Sequence, residues 1–509
     1  MTAAGLTAPP TAPPRASRDH LRSTLRHGLT YGLGTVLAKL IGFVMIPLYT
    51  RVLSPADYGV LELLSMTTDV IGMVAGLGLT WSVTRYYYAY DEPRERLAVV
   101  SSAAILVSVL FGTATALTLP WAGGLSALVL GDSRYAGLVR LALLAFFIYS
   151  FLEIPLAYLR ARQASTHVVG VGLVRLMLAL TLNIVFLVGF RLGVAGVLYS
   201  TIIASALAAA YLITVTLRET GFTFSRPIAL KLLGYGAPIV AADVGSFILH
   251  YSDRYFLRAY DSLASVGLYS LAYKFAMLLS LFIATPFSQI WAPKVLEIER
   301  VEGEGGKAIV RRILSYYNLV LVAAALGASL LAGDAIRLMA SPQFHAAART
   351  VPVLCLGMLF FGYRQVSYVG AAIRERSDLI AFGTVVGAVV ALAANFLLIP
   401  LWGAMGAALA TLAAFATDFA VVMICSERAY PLGFPMGRLF GPVLLACAMY
   451  GAVRLALPPA TPLLLAAPVK LAAVGAFVAV VLLADRMLPT GGAFRFHPLR
   501  SALHEVGKR

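Results

Sequence analysis

The stretch LIAFGTVVGAVVALAANFLLIP, residues 379–400, contains 22 residues without a single Asp, Glu, Lys or Arg. One helix needs about 20 consecutive apolar residues to cross the hydrocarbon core of a bilayer. The stretch is therefore predicted to be a transmembrane helix. Working outward from it in both directions, similar apolar stretches follow one another with short polar breaks, and together they decide the fold class.

The composition of the whole chain gives the same result. Of its 509 residues, 60% are hydrophobic and 13% are charged, whereas soluble domains carry about 25% charged residues. So few charged side chains cannot cover the surfaces of the several soluble domains that a chain of this length would form. Disorder of the whole chain is excluded because it requires low hydrophobicity. The sequence predicts an all-α polytopic membrane protein.

Fourteen apolar stretches are long enough to span a bilayer. They are predicted near residues 29–50, 58–80, 98–119, 138–158, 168–190, 193–217, 233–254, 265–292, 309–332, 350–372, 379–400, 402–425, 437–457 and 463–488. The loops between them are at most about 20 residues long, which leaves no room for an aqueous domain of useful size.

The basic residues orient these spans, because cytoplasmic loops of membrane proteins retain Lys and Arg. With the amino terminus placed inside, 26 of the 40 basic residues fall on the cytoplasmic side and 9, Arg254 among them, fall on the external side. This split predicts that both termini are cytoplasmic. It also explains most of the formal net charge of +16 without nucleic acid, since the charges are spread over eight short segments and form no single basic face.

Two short patterns recur along the chain. The run SPADYG ends at Gly59 before span 2, and the run SLASVG ends at Gly267 before span 8, an offset of 208 residues. Asn183 followed by Gly193 is matched by Asn395 followed by Gly403, with an offset of 210 at the glycines. An offset of six spans lets both halves enter the membrane in the same sense. The repeat therefore predicts two lobes related by a pseudo-two-fold axis along the membrane normal, with the substrate site between them.

The predicted organisation follows from the spans and the repeat. It comprises a disordered cytoplasmic tail at 1–28, an N-lobe of spans 1–6 at 29–217, a cytoplasmic linker at 218–232, a C-lobe of spans 7–12 at 233–426, two extra C-terminal spans at 437–488 and a cytoplasmic tail at 489–509.

Several of these runs resemble a known family. The similarity lies in GLGTVLAKLIGF (residues 32–43), TRVLSPADYG (50–59), SDRYFL (252–257), VGLYSLAYK (266–274) and the segment from Ile399 to Thr411. The chain resembles polysaccharide-transport flippases, the Wzx-type O-antigen and exopolysaccharide exporters of the multidrug/oligosaccharidyl-lipid/polysaccharide superfamily, from residue 29 to about residue 425.

The resemblance implies a V-shaped pair of six-helix lobes around a central cavity. It further implies that the cargo is an undecaprenyl-diphosphate-linked oligosaccharide, moved across the bacterial cytoplasmic membrane by a monomer that works beside polysaccharide polymerase and export machinery. In related lipid II flippases the two extra helices form a groove for the lipid tail, and spans 13 and 14 are expected to do the same. The alternatives are a drug/cation antiporter of the same superfamily and, from a different class, a membrane glycan polymerase or ligase.

Ionisable residues at membrane depth are the candidate site, because such residues are costly and usually face a cavity or a partner. Lys39, with Arg175, Lys274 or Arg364, is predicted to bind the diphosphate, and Lys39→Ala is expected to abolish polymer export with normal expression. For the last three, the alternative is that the side chain snorkels to the interface. The diphosphate needs cationic side chains, while water must remain to solvate the sugar hydroxyls.

Acidic and aromatic residues complete the candidates. Asp243 is the first candidate for ion coupling and Asp69 the second; alternatively, both are structural partners of Lys39 and Lys274. Arg85 and Tyr86, at the cytoplasmic end of span 2, are candidates for an inner gate, with an interfacial aromatic belt as the alternative.

Other chemistries are not indicated. The Walker-like fragment at 303–308 lacks its first glycine and the following Ser or Thr, so it does not indicate ATP use. The seven histidines show no metal spacing, the sequence contains no nucleophile–base arrangement, and no cofactor, metal or enzymatic activity is predicted.

Overall fold

The protein is described from a computed structural model, which covers residue 34 and residues 42–433, 436–457, 461 and 463–487. Every regular element among these residues is a helix, in agreement with the predicted fold class. The two predicted tails, at 1–28 and 489–509, lie outside the described residues, as does Lys39.

The main helices are numbered to match the predicted spans. They are α1 (Ile46–Val52), α2 (Pro55–Ala89), α3 (Pro93–Thr118), α4 (Ser133–Ala161), α5 (Ser165–Gly189), α6 (Gly193–Thr220), α7 (Arg226–Tyr260), α8 (Leu263–Glu302), α9 (Gly306–Met339), α10 (Val351–Ile373), α11 and α12 (together Ser377–Ala429), α13 (Met436–Ala456) and α14 (Leu463–Met487). Short helices at Ala122–Leu130 and Pro342–Arg349 lie between the long ones.

Eleven of the described helices are long and apolar enough to cross a membrane, or twelve if the bent pair at 342–373 counts as one span. This count takes Ser377–Ala429 as one helix of 53 residues, which would be about 80 Å long at 1.5 Å per residue. A bilayer core is only about 30 Å thick. The backbone leaves the helical region at Gly403, where φ is 53° and ψ is −128°. We therefore divide the segment into α11 (377–402) and α12 (404–429), and the total of fourteen spans stays a prediction.

The serines of the sequence repeat begin α2 and α8. The Asp57 backbone N–H donates to Ser54 Oγ at 3.1 Å and the Ser54 N–H donates to the Asp57 carboxylate at 3.1 Å, a capping box. Ser262 Oγ accepts from the Ser265 N–H at 3.1 Å in the same way. The two caps start the helices at equivalent positions and so place the two repeat glycines at equivalent depth.

Those glycines lie against each other and define the symmetry axis. A Cβ atom on Gly59 would lie 2.0 Å from the Leu263 carbonyl oxygen, and one on Gly267 would lie 1.9 Å from the carbonyl oxygen of Pro55. The glycine of each half thus packs on the backbone of the other half in the same way, as a two-fold axis requires. No side chain fits at either position. The contact lies at the end of the bundle that the charge distribution predicts to be external, called the outer end below, and the opposite end is the inner end.

The second sequence pattern marks equivalent turns. Gly193 between α5 and α6 has φ of 57°, and Gly403 between α11 and α12 has φ of 53°. Glycine adopts this left-handed conformation without steric cost. The preceding connections match as well, since the Ala164 N–H donates to the Leu159 carbonyl at 2.9 Å and the Arg376 N–H donates to the Ala371 carbonyl at 2.8 Å. The duplication is therefore visible in backbone geometry.

Helix α7 begins earlier than expected. It starts at Arg226, seven residues before the predicted start, so the predicted linker at 218–232 is helical over its second half. The reason is burial: Ile228 and Leu232 join a hydrophobic cluster of the N-lobe, and Ser82 Oγ donates to the Leu232 carbonyl at 2.8 Å. The first turns of α7 thus pack on the N-lobe, although the rest of the helix belongs to the C-lobe.

The two extra helices attach to the C-lobe through α9. Lys470 of α14 donates to the Asp334 carboxylate of α9 at 2.5 Å, and their side chains are only 14% and 13% exposed. Val474, one turn further along α14, packs against Gly327 of α9. An ion pair at membrane depth therefore fixes α14 in register against α9.

Candidate functional site

A cavity of about 450 Å³ lies in the N-lobe beside α8, where α1, α2, α4 and α6 line it together with Lys274 of α8. Its wall includes the Glu62 and Asp69 carboxylates, the Lys274 ammonium group, and aromatic and hydroxyl groups such as those of Tyr149 and Thr201. Polar groups that converge in a cavity of this size are typical of a ligand site. All the lining residues except Lys274 belong to the N-lobe, so the predicted substrate site between the lobes stays a prediction.

Lys274 bridges the lobes at this cavity. Its Nζ donates to the Glu62 carboxylate and, at 2.7 Å, to the Tyr58 hydroxyl, and it lies 4.7 Å from the centre of the Tyr58 ring. Tyr58 and Glu62 are one helical turn apart on α2, so both face α8. The predicted alternative pairing of Lys274 with Asp69 is wrong, because Asp69 lies seven residues further along α2, about 10 Å away along the axis.

The Lys274 ammonium group remains within reach of a ligand. Its side chain is 42% exposed, although Glu62 beside it is only 18% exposed. The cation is therefore neutralised by a carboxylate on one side and open to the cavity on the other. A second anion that entered the cavity would compete with Glu62 for it.

The two candidates for ion coupling differ in their positions. Asp69 is exposed and lines the cavity. Asp243 is not among the residues that line it, and within the described part of the chain it forms no hydrogen bond or ion pair. Of the two, the structure gives only Asp69 a place in the cavity wall.

Arg175 lies behind that wall. Its guanidinium carbon is 5.3 Å from the centre of the Tyr149 ring, and Tyr149 itself lines the cavity. Arg175 is not a lining residue, so the ring separates it from Lys274.

Arg364 lies inside the C-lobe. Its Nε is 3.3 Å from Asp418 Oδ2, and the Asp418 side chain is 2% exposed. Its Nη2 donates to Thr384 Oγ1 at 3.0 Å. Arg364 therefore ties α10 to α11 and α12, and its charge is balanced locally. No contact between described side chains joins Lys274, Arg175 and Arg364, and Lys39 lies outside the described residues. The diphosphate site of Lys39 with one of the other three therefore stays a prediction.

A second buried ion pair lies in the C-lobe at Asp253 and Arg254. Arg254, counted from the sequence among the basic residues on the external side, is 2% exposed and lies inside the bundle. Helix α7 continues to Tyr260, which keeps Arg254 inside the bundle. Its guanidinium donates to Asp253 Oδ1 at 2.7 Å and lies 3.9 Å from the centre of the Tyr273 ring.

The other oxygen of Asp253 is also satisfied. Asp253 Oδ2 accepts from the Tyr269 hydroxyl at 2.6 Å and from Thr411 Oγ1 at 3.0 Å. Three helices, α7, α8 and α12, are thus joined by one fully bonded carboxylate. A buried network that is satisfied in this way holds its helices rigidly.

The inner-gate candidates touch the opposite lobe. The Arg85 guanidinium lies 4.8 Å from the centre of the Tyr235 ring of α7, and the Tyr86 ring packs edge-on against Tyr235 at 6.1 Å. The contact follows a break in α2, where Leu77 and Gly78 both have positive φ and Gly78 packs on the α7 backbone. The geometry is consistent with a gate, which stays a prediction.

Glu62, Asp253 and Lys470 are not among the candidate residues predicted from the sequence. Glu62 is a charged residue inside a predicted span, and this is the signal by which it could be found. Asp253 lies in the run SDRYFL at a predicted helix end, where the sequence gives no sign of its buried partners. Within the described residues, no group of three or more His, Cys, Asp or Glu side chains could hold a metal ion.

Comparison with known proteins places the fold. The family model described as "Polysaccharide biosynthesis protein" matches residues 24–299. None of the curated proteins matches the sequence.

Three solved structures share the architecture. The lipid II flippase MurJ in an inward closed conformation has a TM-score of 0.74 and 14% identity, and the match covers 89% of this chain and 98% of that chain. An inward-facing multidrug resistance MATE family transporter of the MOP superfamily has a TM-score of 0.63 and 17% identity over 77% and 95% of the two chains. A mutant of the Vibrio cholerae MATE transporter VcmN has a TM-score of 0.54 and 14% identity over 81% and 98%. At these identities the likeness concerns the fold.

Proposed function

Because this chain belongs to the polysaccharide biosynthesis protein family, we propose that it is a flippase that carries an undecaprenyl-diphosphate-linked oligosaccharide from one leaflet to the other by alternating access. The observation that carries the proposal is the N-lobe cavity beside α8, into whose wall the C-lobe contributes an accessible Lys274. A MurJ-like architecture is compatible with a lipid-linked cargo.

The chemistry of the cavity suits such a cargo. The diphosphate requires a cation, and Lys274 offers one. Its present partner is the single Glu62 carboxylate, which competes with the diphosphate for Lys274 and is the weaker of the two. The hydroxyl groups of Tyr49, Thr68 and Thr201 line the same volume and can hydrogen-bond to sugar hydroxyls or to the water between them. A volume of about 450 Å³ lies within the range of ordinary ligand pockets, so a whole repeat unit requires the lobes to part.

Exchange of partners at Lys274 provides a coupling step. When the diphosphate takes Lys274 away from Glu62, this bridge between α2 and α8 is lost. The substrate would thereby weaken one of the contacts that hold the two helices, and with them the two lobes, together. This is the differential interaction with two conformations that a transported ligand must supply.

The setting is part of the same proposal. We expect a monomer in the bacterial cytoplasmic membrane with both termini in the cytoplasm, serving O-antigen, capsule or exopolysaccharide assembly together with polymerase and export machinery. The charge distribution and the family support this setting.

Reconstitution tests the activity directly. Proteoliposomes that contain the purified protein and a fluorescent undecaprenyl-diphosphate-linked oligosaccharide should expose the labelled sugar to an impermeant quencher faster than empty liposomes. Lys274→Ala should slow this at least tenfold, while Lys274→Arg should retain part of the rate. Equal rates with and without wild-type protein would contradict the proposal.

A second candidate, a cation antiporter, is favoured by one observation, the two carboxylates Glu62 and Asp69 in the cavity wall. It predicts gradient-driven efflux of a cationic dye from the same proteoliposomes. Dye efflux without movement of the lipid-linked sugar would select this function, and the reverse result would exclude it.

A further inference from the structure

A second cavity, of about 410 Å³, lies between α5 and α6 on the membrane-facing side of the N-lobe. Small residues form its floor, among them Gly170, Ala204 and Ala208. Its rim carries Val174 and Leu207, which are 69% and 57% exposed. In a bilayer these exposed apolar side chains face acyl chains, so the volume is a groove that opens sideways into the lipid.

A single cation lies at the inner wall of this α5–α6 groove. Arg175, which lines the groove, lies ten residues, or about 15 Å, along α5 from its first residue and inside the predicted span at 168–190. Among the described residues it has no carboxylate partner and no hydrogen bond, and its one contact of this kind is the Tyr149 ring at 5.3 Å. A charge without such a partner inside a span is costly, and a bound anion would lower that cost.

The mouth of the groove is polar. His167 Nε2 and the Tyr211 hydroxyl are 2.8 Å apart, and both line the groove. The nearby carboxylate of Glu219 is already bonded to Arg162 and, at 2.8 Å, to the Tyr158 hydroxyl. The groove therefore leads from hydrogen-bonding groups near the inner end of the bundle to a cation, Arg175, that has no carboxylate partner among the described residues.

One aromatic ring separates the groove from the central cavity. Tyr149 lines the central cavity, carries the Arg175 guanidinium over its ring and is 40% exposed. A rotation of this side chain would connect the two volumes. Arg175 and Lys274 would then be successive cations on one path from the lipid to the cavity.

We infer that the α5–α6 groove is a lateral binding site for the diphosphate of the polyprenyl-linked substrate, with Arg175 as its anion-binding residue and Tyr149 as the partition from the central cavity. The inference rests on the proposed function. It assigns Arg175 to a capture site apart from Lys274, and it leaves the polyprenyl chain in the membrane throughout.

Photocrosslinking tests the site with a defined probe. A photoreactive amino acid is placed at Leu207 of the full chain, which is reconstituted in phosphatidylethanolamine/phosphatidylglycerol vesicles containing undecaprenyl diphosphate. The matched control carries the same amino acid at Val389 on α11, which is 61% exposed and lies outside the groove. We expect at least tenfold more crosslinked undecaprenyl diphosphate at Leu207 than at Val389, a fold-change expected from one charge-assisted hydrogen bond.

Charge variants identify the contact. Arg175→Gln should reduce the Leu207 crosslink about tenfold and Arg175→Lys should restore most of it, while undecaprenol, which lacks the diphosphate, should crosslink weakly in every case. Equal yields at Leu207 and Val389, an unchanged yield in Arg175→Gln, or full competition by excess phosphatidylglycerol would each overturn the inference.

The two proposals fail separately. If wild-type protein moves the fluorescent oligosaccharide across the vesicle but Leu207 gives no preferential crosslink, the lateral site is wrong and the flippase assignment stands. If the groove crosslinks undecaprenyl diphosphate but no oligosaccharide crosses, the site binds the lipid and the proposed transport is wrong.

Discussion

The reciprocal contact of Gly59 and Gly267 makes a sharp prediction about how the lobes are held together. A Cβ atom on Gly59 would lie 2.0 Å from the Leu263 carbonyl oxygen, whereas an ordinary contact of this kind begins at 3.4 Å. The obstacle is backbone, so no side-chain rotation relieves it, and α2 and α8 must part by about 1.4 Å. Overpacking of this kind costs about 1–3 kcal/mol, so Gly59→Ala should lower the ratio of outer-closed to outer-open protein about 5- to 150-fold.

The matched control is Gly245→Ala. Gly245 is also inside a helix, α7, but a Cβ atom there meets nothing within 4 Å, so the substitution is expected to be neutral or slightly stabilising because Ala favours helix. Gly59→Ala and Gly267→Ala together should cost less than their sum, because one separation of the helices relieves both clashes.

Distances across the outer end measure this effect. The free cysteines Cys355, Cys425 and Cys447 are first replaced, and spin labels are attached at Leu128 and Leu338, which are 82% and 72% exposed and lie in opposite lobes near the outer end. Gly59→Ala should add a population at longer distance that Gly245→Ala lacks. Identical distributions for these two variants would refute the reasoning that the glycine contact holds the outer end closed.

Further predictions concern the ion pairs and the candidate for ion coupling. Lys274→Met or Glu62→Gln alone should lower the unfolding free energy by about 1–3 kcal/mol, and the double variant should regain part of it, as measured by thermal unfolding in detergent. Lys470→Met should reduce the yield of a disulfide engineered between positions 327 and 474, where a Cβ atom added at Gly327 would lie 3.7 Å from Val474 Cγ2, whereas Lys470→Met combined with Asp334→Leu should recover it; an unchanged yield would show that the pair does not hold α14. Asp69→Asn should remove the dependence of transport on an ion gradient and Asp243→Asn should leave it, since only Asp69 lines the cavity; the reverse result would return the role to Asp243.

The symmetry of the fold could be predicted because it depends on residues that are close together in the sequence. A serine before a helix caps it, and the structure uses Ser54 and Ser262 in that way. A glycine at a fixed distance from the cap permits close approach, and Gly59 and Gly267 make it. Spacing along one helix is enough to see such features, so the repeat was recoverable from residues alone.

The charge pairs could not be predicted in this way. Sequence gives the depth of a residue in a span but not the direction in which it faces relative to helices more than 200 residues away. Lys274 forms an ion pair with Glu62, which is 212 residues away in the sequence. Arg254 is buried because α7 extends past it to Tyr260. Helix rotation and helix ends, which tertiary packing sets, decided both cases.

The two lobes share a backbone plan but distribute charge differently, and the difference bears on mechanism. In the C-lobe, Arg254 is held by Asp253 and Arg364 by Asp418, and all four side chains are mostly buried. On the N-lobe side, Arg175 has no carboxylate partner among the described residues, and Asp69 is exposed to the cavity. Lys274 also contacts the N-lobe, although it belongs to α8. Charges that are already paired and desolvated cannot exchange partners without a large penalty. Under the proposed function, the exchangeable cations among these are therefore Lys274 and Arg175, which both lie against N-lobe helices. Substrate capture would then change contacts on the N-lobe side only, and such a one-sided change would favour a tilt of one lobe relative to the other.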